Sequence, residues 1–147
     1  MIVSYDIDGV LAEGPPPSEK KWGRMNKYER NQRKEFLVHW YRNASPLLVP
    51  TEEKFYAVSA RKNDPYVYTA TQMWLDKHYP NRVIELFLMK DARTVVNAAN
   101  FKSEVLASKN VQIHYEDNKK VLRLMKKTNP DIKYFFWEKG MTDPEIF

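Results

Sequence analysis

Two carboxylates one residue apart, Asp6 and Asp8, are followed at once by Gly9. Held together at about 4 Å and an effective dielectric of about 20, two such charges repel by roughly 4 kcal/mol. A bound cation relieves that repulsion, and a proton kept on one acid is the other way out. A strand followed by an ordinary acidic turn would carry the same residues, so the pair alone leaves the two readings level. Three further features share its setting. Ser59 closes a predicted strand, where its hydroxyl and nearby N–H groups suit a phosphate oxygen. Lys102, within Phe101-Lys102-Ser103-Glu104, would project a cation from an apolar helix towards the strand ends. Glu116-Asp117 stands to another strand as Asp6 and Asp8 stand to the first. Singly these are a helix-entry serine, a solvated lysine and a chance pair of acids. In this order, each at a strand terminus, they are hard to dismiss together.

Alternating strands and helices must position these residues. Met1 to Tyr5 predicts a strand, and Gly9 lets the backbone turn away from it. Glu13 to Ser18 holds three successive prolines and reads as a stiff loop. Asn26 and Glu29 at capping-box spacing predict a helix to about Asn43, with Phe36, Leu37, Trp40, Tyr41 and Ala44 on its apolar face. Lys54 to Ser59 is the second strand. Asp64 and Pro65 then open a helix whose buried positions are read as Tyr68, Met73, Trp74 and Leu75. Arg82 to Met89 predicts a third strand buried on both faces. A helical region from Lys90 to about Ser108, a strand from Val111 to Tyr115, a helix from Lys119 to Lys127 and a strand from Ile132 to Trp137 complete the chain. The pattern predicts an α/β fold of three layers around a mainly parallel five-stranded sheet. Residues 1–147 are expected to form one domain, with a small insertion at about 13–50 that is too short for a core of its own.

Composition narrows the classes. At 43% hydrophobic and 14% aromatic residues, the chain is globular and not disordered. It has no cysteine, which excludes disulfides and thiolate metal sites, and His39, His78 and His114 are too scattered for a zinc cluster. No apolar run nears the roughly 20 residues that span a bilayer, and no signal peptide precedes the first strand. The expectation is a soluble, cytoplasmic protein without a membrane partner. A net charge of +5 favours acidic partners.

Asp6-x-Asp8-Gly9-Val10, Ser59-Ala60-Arg61, Lys102 and Glu116-Asp117, in that order, resemble the motifs of the haloacid dehalogenase-like (HAD) superfamily of phosphohydrolases. The resemblance spans most of the chain and implies a Rossmann-like core with a Mg²⁺ site. It implies Asp6 as the nucleophile that forms an aspartyl-phosphate. Asp8 would protonate the leaving oxygen and later activate water. Ser59 would hold a phosphoryl oxygen, and Lys102 would neutralise charge on the phosphoryl group and Asp6. Asp117 would bind the metal with Asp6 and the backbone carbonyl of Asp8, supported by Glu116. The last motif departs from the commoner Asp-Asp or Gly-Asp forms, since its first acid is Glu116. The chemistry is coherent: a phosphate dianion repels a carboxylate nucleophile, and Mg²⁺ with Lys102 offsets that repulsion.

The slight insertion, a minimal helical cap, leaves an open site suited to a bulky substrate. Lys20, Lys21, Trp22, Arg24, Lys27 and Tyr28 could contact phosphates and bases, or could form an ordinary solvated helix face. Ser59 to Asp64, Tyr68 to Leu75 and Val95-Val96 are also loosely similar to the 3′-phosphatase domain of phage-type polynucleotide kinase. That likeness implies a substrate phosphate on Arg61. Three readings follow: a phosphatase for nucleic-acid ends or nucleotides, one for small phosphorylated metabolites or phosphoproteins, and a non-catalytic module for polyanions. The paired acids argue against the third, because a pure polyanion binder gains nothing from them.

Overall fold

A computed structural model describes residues 1–147. Six strands and four α-helices follow one another, with a short 3-10 helix at Trp22–Arg24 before α1: β1 (Val3–Tyr5), α1 (Lys27–Asn43), β2 (Phe55–Lys62), α2 (Pro65–His78), β3 (Val83–Met89), α3 (Val95–Ser108), β4 (Ile113–Glu116), α4 (Lys119–Thr128), β5 (Lys133–Phe136) and β6 (Glu145–Ile146). The fold is α/β, with a mostly parallel mixed sheet of six strands in the order β3-β2-β1-β4-β5-β6. No helix is long and apolar enough to cross a membrane.

Adjacent residues of a strand face opposite ways, and β2 shows the result. Phe55 and Ala57 join Val3, Tyr5, Trp74 and Leu75 in a core beneath α1 and α2. Val58 joins Leu106, Val121, Leu122 and Met125 in a second core beneath α3 and α4. Helices therefore cover both faces, as a parallel sheet requires. The helix starts follow their caps. Asn26 and Glu29 form the full capping box of α1. The Asp64 side chain accepts from the N–H groups of Tyr66 and Val67, with Pro65 opening α2.

The insertion has no separate core. Ala44 is buried in the cluster that contains β1 and β2, with Trp40 and Leu48 packed against it. The Trp74 Nε1–H donates to the Ala44 carbonyl at 2.7 Å, tying the end of α1 to α2. On α2 itself, Tyr68 and Met73 are exposed, whereas Ala70 and Thr71 are buried with Trp74 and Leu75. α1 and α2 pack against each other, and Thr71 accepts from buried Arg61 of β2 at 3.0 Å.

The sheet differs from the five-stranded expectation in three places. A sixth strand, β6, pairs antiparallel with β5 through Phe135↔Ile146 and Phe136↔Glu145. Two exposed residues carry no alternating pattern, so the sequence did not announce it. β3 lies at the sheet edge, and Ile84 and Glu85 face solvent instead of being buried on both faces. Finally, β2 runs on through Arg61 to Lys62, with a register shift against β3 between Ser59 and Lys62. Ser59 thus lies within the strand and not at its end.

Candidate active site

The chain leaves β1 towards β2 on one side and returns to β4 on the other, so the strand order reverses between β1 and β4. In open parallel sheets, ligands bind in the crevice at such a reversal, beyond the carboxyl ends of the strands. Tyr5 is paired with Tyr115 across that boundary. The next residues, Asp6 and Glu116, must therefore emerge side by side. The Asp6 N–H donates to the Tyr115 carbonyl at 3.0 Å, which fixes the turn. One carboxylate oxygen from each of Asp6, Glu116 and Asp117 lies within 4.8 Å of the others.

Gly9 lets Asp117 approach. Its φ is +83°, and a Cβ built there would lie 2.0 Å from Asp117 Oδ2. Gly9→Ala should therefore combine backbone strain of about 1–3 kcal/mol with displacement of Asp117. Urea unfolding and a divalent-cation titration measure the two effects. Unchanged cation affinity in the variant would show that Asp117 does not depend on this contact.

Lys102 reaches the acids from the buried stripe of α3, which it shares with Ala98, Ala99 and Leu106. Its ammonium lies 2.6 Å from Glu116 Oε1 and 3.2 Å from Asp6 Oδ1. The Ile7 N–H donates to the same Asp6 oxygen at 2.9 Å. Behind Glu116 stand His114 and Ser4, two buried residues that the sequence reading did not connect to the site. His114 Nε2 is 3.3 Å from Glu116 Oε1, and Nδ1 is 2.7 Å from Ser4 Oγ. An imidazole protonated on Nε2 satisfies both bonds, donating to Glu116 and accepting from Ser4. Polar residues facing each other in two central strands, Ser4↔His114, were the available signal.

One ammonium faces three carboxylates, and the proton affinities reflect it. Burial and then Glu116 push the Asp6 carboxyl well above the usual carboxylate range. Burial and Glu116 likewise push Asp117 up to about 7. Burial acts on Glu116 in the same direction, but Lys102 and His114 outweigh it and hold the acid low. Burial would lower Lys102, yet Asp6 and Glu116 more than reverse that. His114 is lowered by burial, which keeps its ring neutral at pH 7. The set fits a hard divalent cation: all donors are oxygens, and the excess negative charge is relieved by either a cation or protons.

A pH dependence follows for the cation. Without it, native Asp117 holds a proton between about 4 and about 7 that the unfolded chain has lost, so this residue's contribution to stability falls as pH rises through that window. A cation bound by Asp117 would replace the proton. The gain in unfolding midpoint on adding Mg²⁺ should therefore grow from pH 5 to pH 8, measured against chelator at each pH. Glu116 and His114 destabilise the fold as pH falls, but that trend is common to both arms. A gain independent of pH would remove Asp117 from the cation site.

Above the acids lies an open cleft of ≈ 780 Å³ lined by Asp6, Asp8, Ser59, Lys102, Glu116 and Asp117. The predicted residues thus meet, with one exception. Arg61, expected on a substrate phosphate, is only 2% exposed and does not line the cleft. Its Nη2 and Nε donate to the two Asp8 oxygens at 2.7 and 3.0 Å, and Nη1 donates to Thr71 Oγ1 at 3.0 Å. The guanidinium carbon sits 3.8 Å from the centroid of the Tyr41 ring of α1. Because β2 continues past Ser59, Arg61 passes behind Asp8 and fixes it from below. Ser59 is buried, and its Oγ accepts from the Arg61 N–H at 3.1 Å.

Lys20, Lys21, Trp22, Arg24, Lys27 and Tyr28 do not line the cleft. Lys20 pairs with Glu29 at 3.0 Å, and the Trp22 ring lies beneath the Arg30 guanidinium. Besides Lys102, the cations in the cleft wall are Arg33, Arg93 and Lys139 instead. No protein-family model matches the chain, and no curated protein matches it.

Proposed function

We propose that this chain is a HAD-like, Mg²⁺-dependent phosphatase that hydrolyses phosphate monoesters through an aspartyl-phosphate on Asp6. Its substrates in this reading are nucleic-acid ends carrying a 3′-phosphate, or nucleotides. The observation that carries the proposal is the trio Asp6, Glu116 and Asp117 at the strand-order reversal, with buried Lys102 on Asp6. A site made only to bind anions would not gather three acids around one lysine.

Asp6, the backbone carbonyl of Asp8 and Asp117 would hold Mg²⁺, with Glu116 anchored behind them by Lys102 and His114. Bound there, Mg²⁺ supplies positive charge to the phosphoryl oxygens. In the first step an Asp6 oxygen attacks phosphorus, the bond to the leaving oxygen breaks, and Asp8 gives that oxygen its proton. In the second, water attacks phosphorus, Asp8 takes a proton from it, and the bond to Asp6 breaks. Lys102 faces Asp6 throughout and offsets the repulsion between nucleophile and dianion. Ser59 would hold a phosphoryl oxygen once its hydroxyl turns to the cleft. Proton transfer by Asp8 requires one of its oxygens to come free of Arg61, whose two bonds otherwise orient the carboxylate.

One observation favours the alternative substrates, small phosphorylated metabolites or phosphoproteins: Lys20, Lys21, Arg24 and Lys27 lie outside the cleft. A phosphatase screen with Mg²⁺ decides between the readings. It should span nucleotides, 3′- and 5′-phosphorylated oligonucleotides, phosphosugars and phosphopeptides. Preference for the nucleotides or oligonucleotides supports the first reading, and preference for sugars or peptides the second. No Mg²⁺-dependent hydrolysis of any substrate would refute both.

A further inference from the structure

We infer that Arg33 and Arg93 form a subsite for a second phosphate group of the substrate, on the leaving-group side of the scissile bond. The inference rests on the phosphatase reading and names a substrate class within it.

The two arginines come from different elements, Arg33 from α1 and Arg93 from the connection between β3 and α3, yet both line the cleft that contains Asp8. Neither has a carboxylate partner among the protein's ion pairs. Lys139, the third cation of the wall, is already paired with Glu13 at 2.8 Å. Arg33 is held from behind: its Nη2 donates to the Pro16 carbonyl at 2.8 Å, and its guanidinium lies 5.0 Å from the Phe36 ring centroid. That leaves other donors of its fork unused. Arg93 is exposed.

Both guanidiniums also act on one group. The positive fields of Arg61, Arg93 and Arg33 oppose the rise that burial and Asp8 impose on the Tyr41 hydroxyl. The Tyr41 ring in turn stacks on Arg61, the partner of Asp8. Arg33 and Arg93 thus line the same cleft as Asp8, and neither is paired with a carboxylate there. A bound dianion would supply the counter-charge that both guanidiniums lack. Guanidinium forks match phosphate geometry through paired N–H donors, so a phosphate is the anion this arrangement suits.

The test uses the full chain with Mg²⁺ and three substrates: p-nitrophenyl phosphate, a nucleoside 3′-monophosphate and the matching 3′,5′-bisphosphate. Wild type should turn over the bisphosphate with a kcat/KM about tenfold or more above the monophosphate, from charge-assisted bonds to the second phosphate. Arg33→Ala with Arg93→Ala should bring that ratio near one, mainly through KM. Lys20→Ala with Arg24→Ala, outside the cleft, should leave the ratio as in wild type. A ratio that survives in the arginine double variant overturns the subsite, as does a wild-type ratio near one. Should the double variant fail to fold, Arg93→Gln alone carries the same comparison. If wild type hydrolyses none of the three, the phosphatase reading fails separately. Calorimetric binding of the bisphosphate then decides the subsite: affinity lowered about tenfold in the arginine variant supports it, and unchanged affinity overturns it.

Discussion

Asp6→Asn is expected to abolish turnover while leaving the protein folded. In the proposed mechanism the substitution removes the attacking oxygen, so kcat should fall by at least about 10³-fold, the scale seen when a nucleophile is deleted. Stability should not suffer. The Asn side-chain oxygen can still accept from the Ile7 N–H, as Asp6 Oδ1 does at 2.9 Å, and from Lys102. It also removes a charge that burial and Glu116 disfavour. Steady-state hydrolysis of p-nitrophenyl phosphate and a thermal melt measure the two halves. Near-normal activity in the folded variant would end the covalent mechanism.

The largest effect on stability is expected at Lys102. Its ammonium is 3% exposed and is shared by Asp6 and Glu116. Lys102→Met keeps the length of the side chain but leaves Glu116 buried without a counter-charge, beside neutral His114 and two further acids. Removing one partner of a buried ion pair costs about 3–5 kcal/mol. The urea midpoint should fall accordingly at pH 7, and activity should be lost with it. Part of the stability should return as pH is lowered towards 5, because protonation removes the stranded charge. A variant as stable as wild type at neutral pH would mean that Glu116 finds its counter-charge elsewhere.

Legibility in the sequence followed the locality of the interactions. The starts of α1 and α2 were readable because Asn26, Glu29, Asp64 and Pro65 act within one turn of the backbone. Asp6, Asp8 and Asp117 were readable because strand ends in a parallel sheet lie on one side of it; Ser59, inside β2, and Lys102, on α3, meet them in one cleft. Arg61 was not, since its partners Asp8, Thr71 and Tyr41 come from three separate segments. The same holds for Ser4 and His114, 110 residues apart. The burial of Ala70 and Thr71 in place of Tyr68 and Met73 depends on α1 packing against α2. Hydrophobicity alone cannot express that preference for small side chains. The two-residue β6 is defined by its partner β5 and carries no periodic signal of its own.

The short central strand also dictates an order of events during synthesis. β1 pairs on one side with β2 through Ser4↔Tyr56, and on the other with β4 through Ser4↔His114. The second pairing closes a loop of more than a hundred residues, and such non-local contacts are slow to form. A ribosome making some 5–20 residues per second releases β1 several seconds before β4 can exist. For that interval the strand has an unpaired edge, and Asp6 has neither Glu116 nor Lys102 beside it. At three residues β1 is short, which makes the waiting edge a poorer template for other chains. A nascent chain arrested before β4 would carry the first acidic turn and no site.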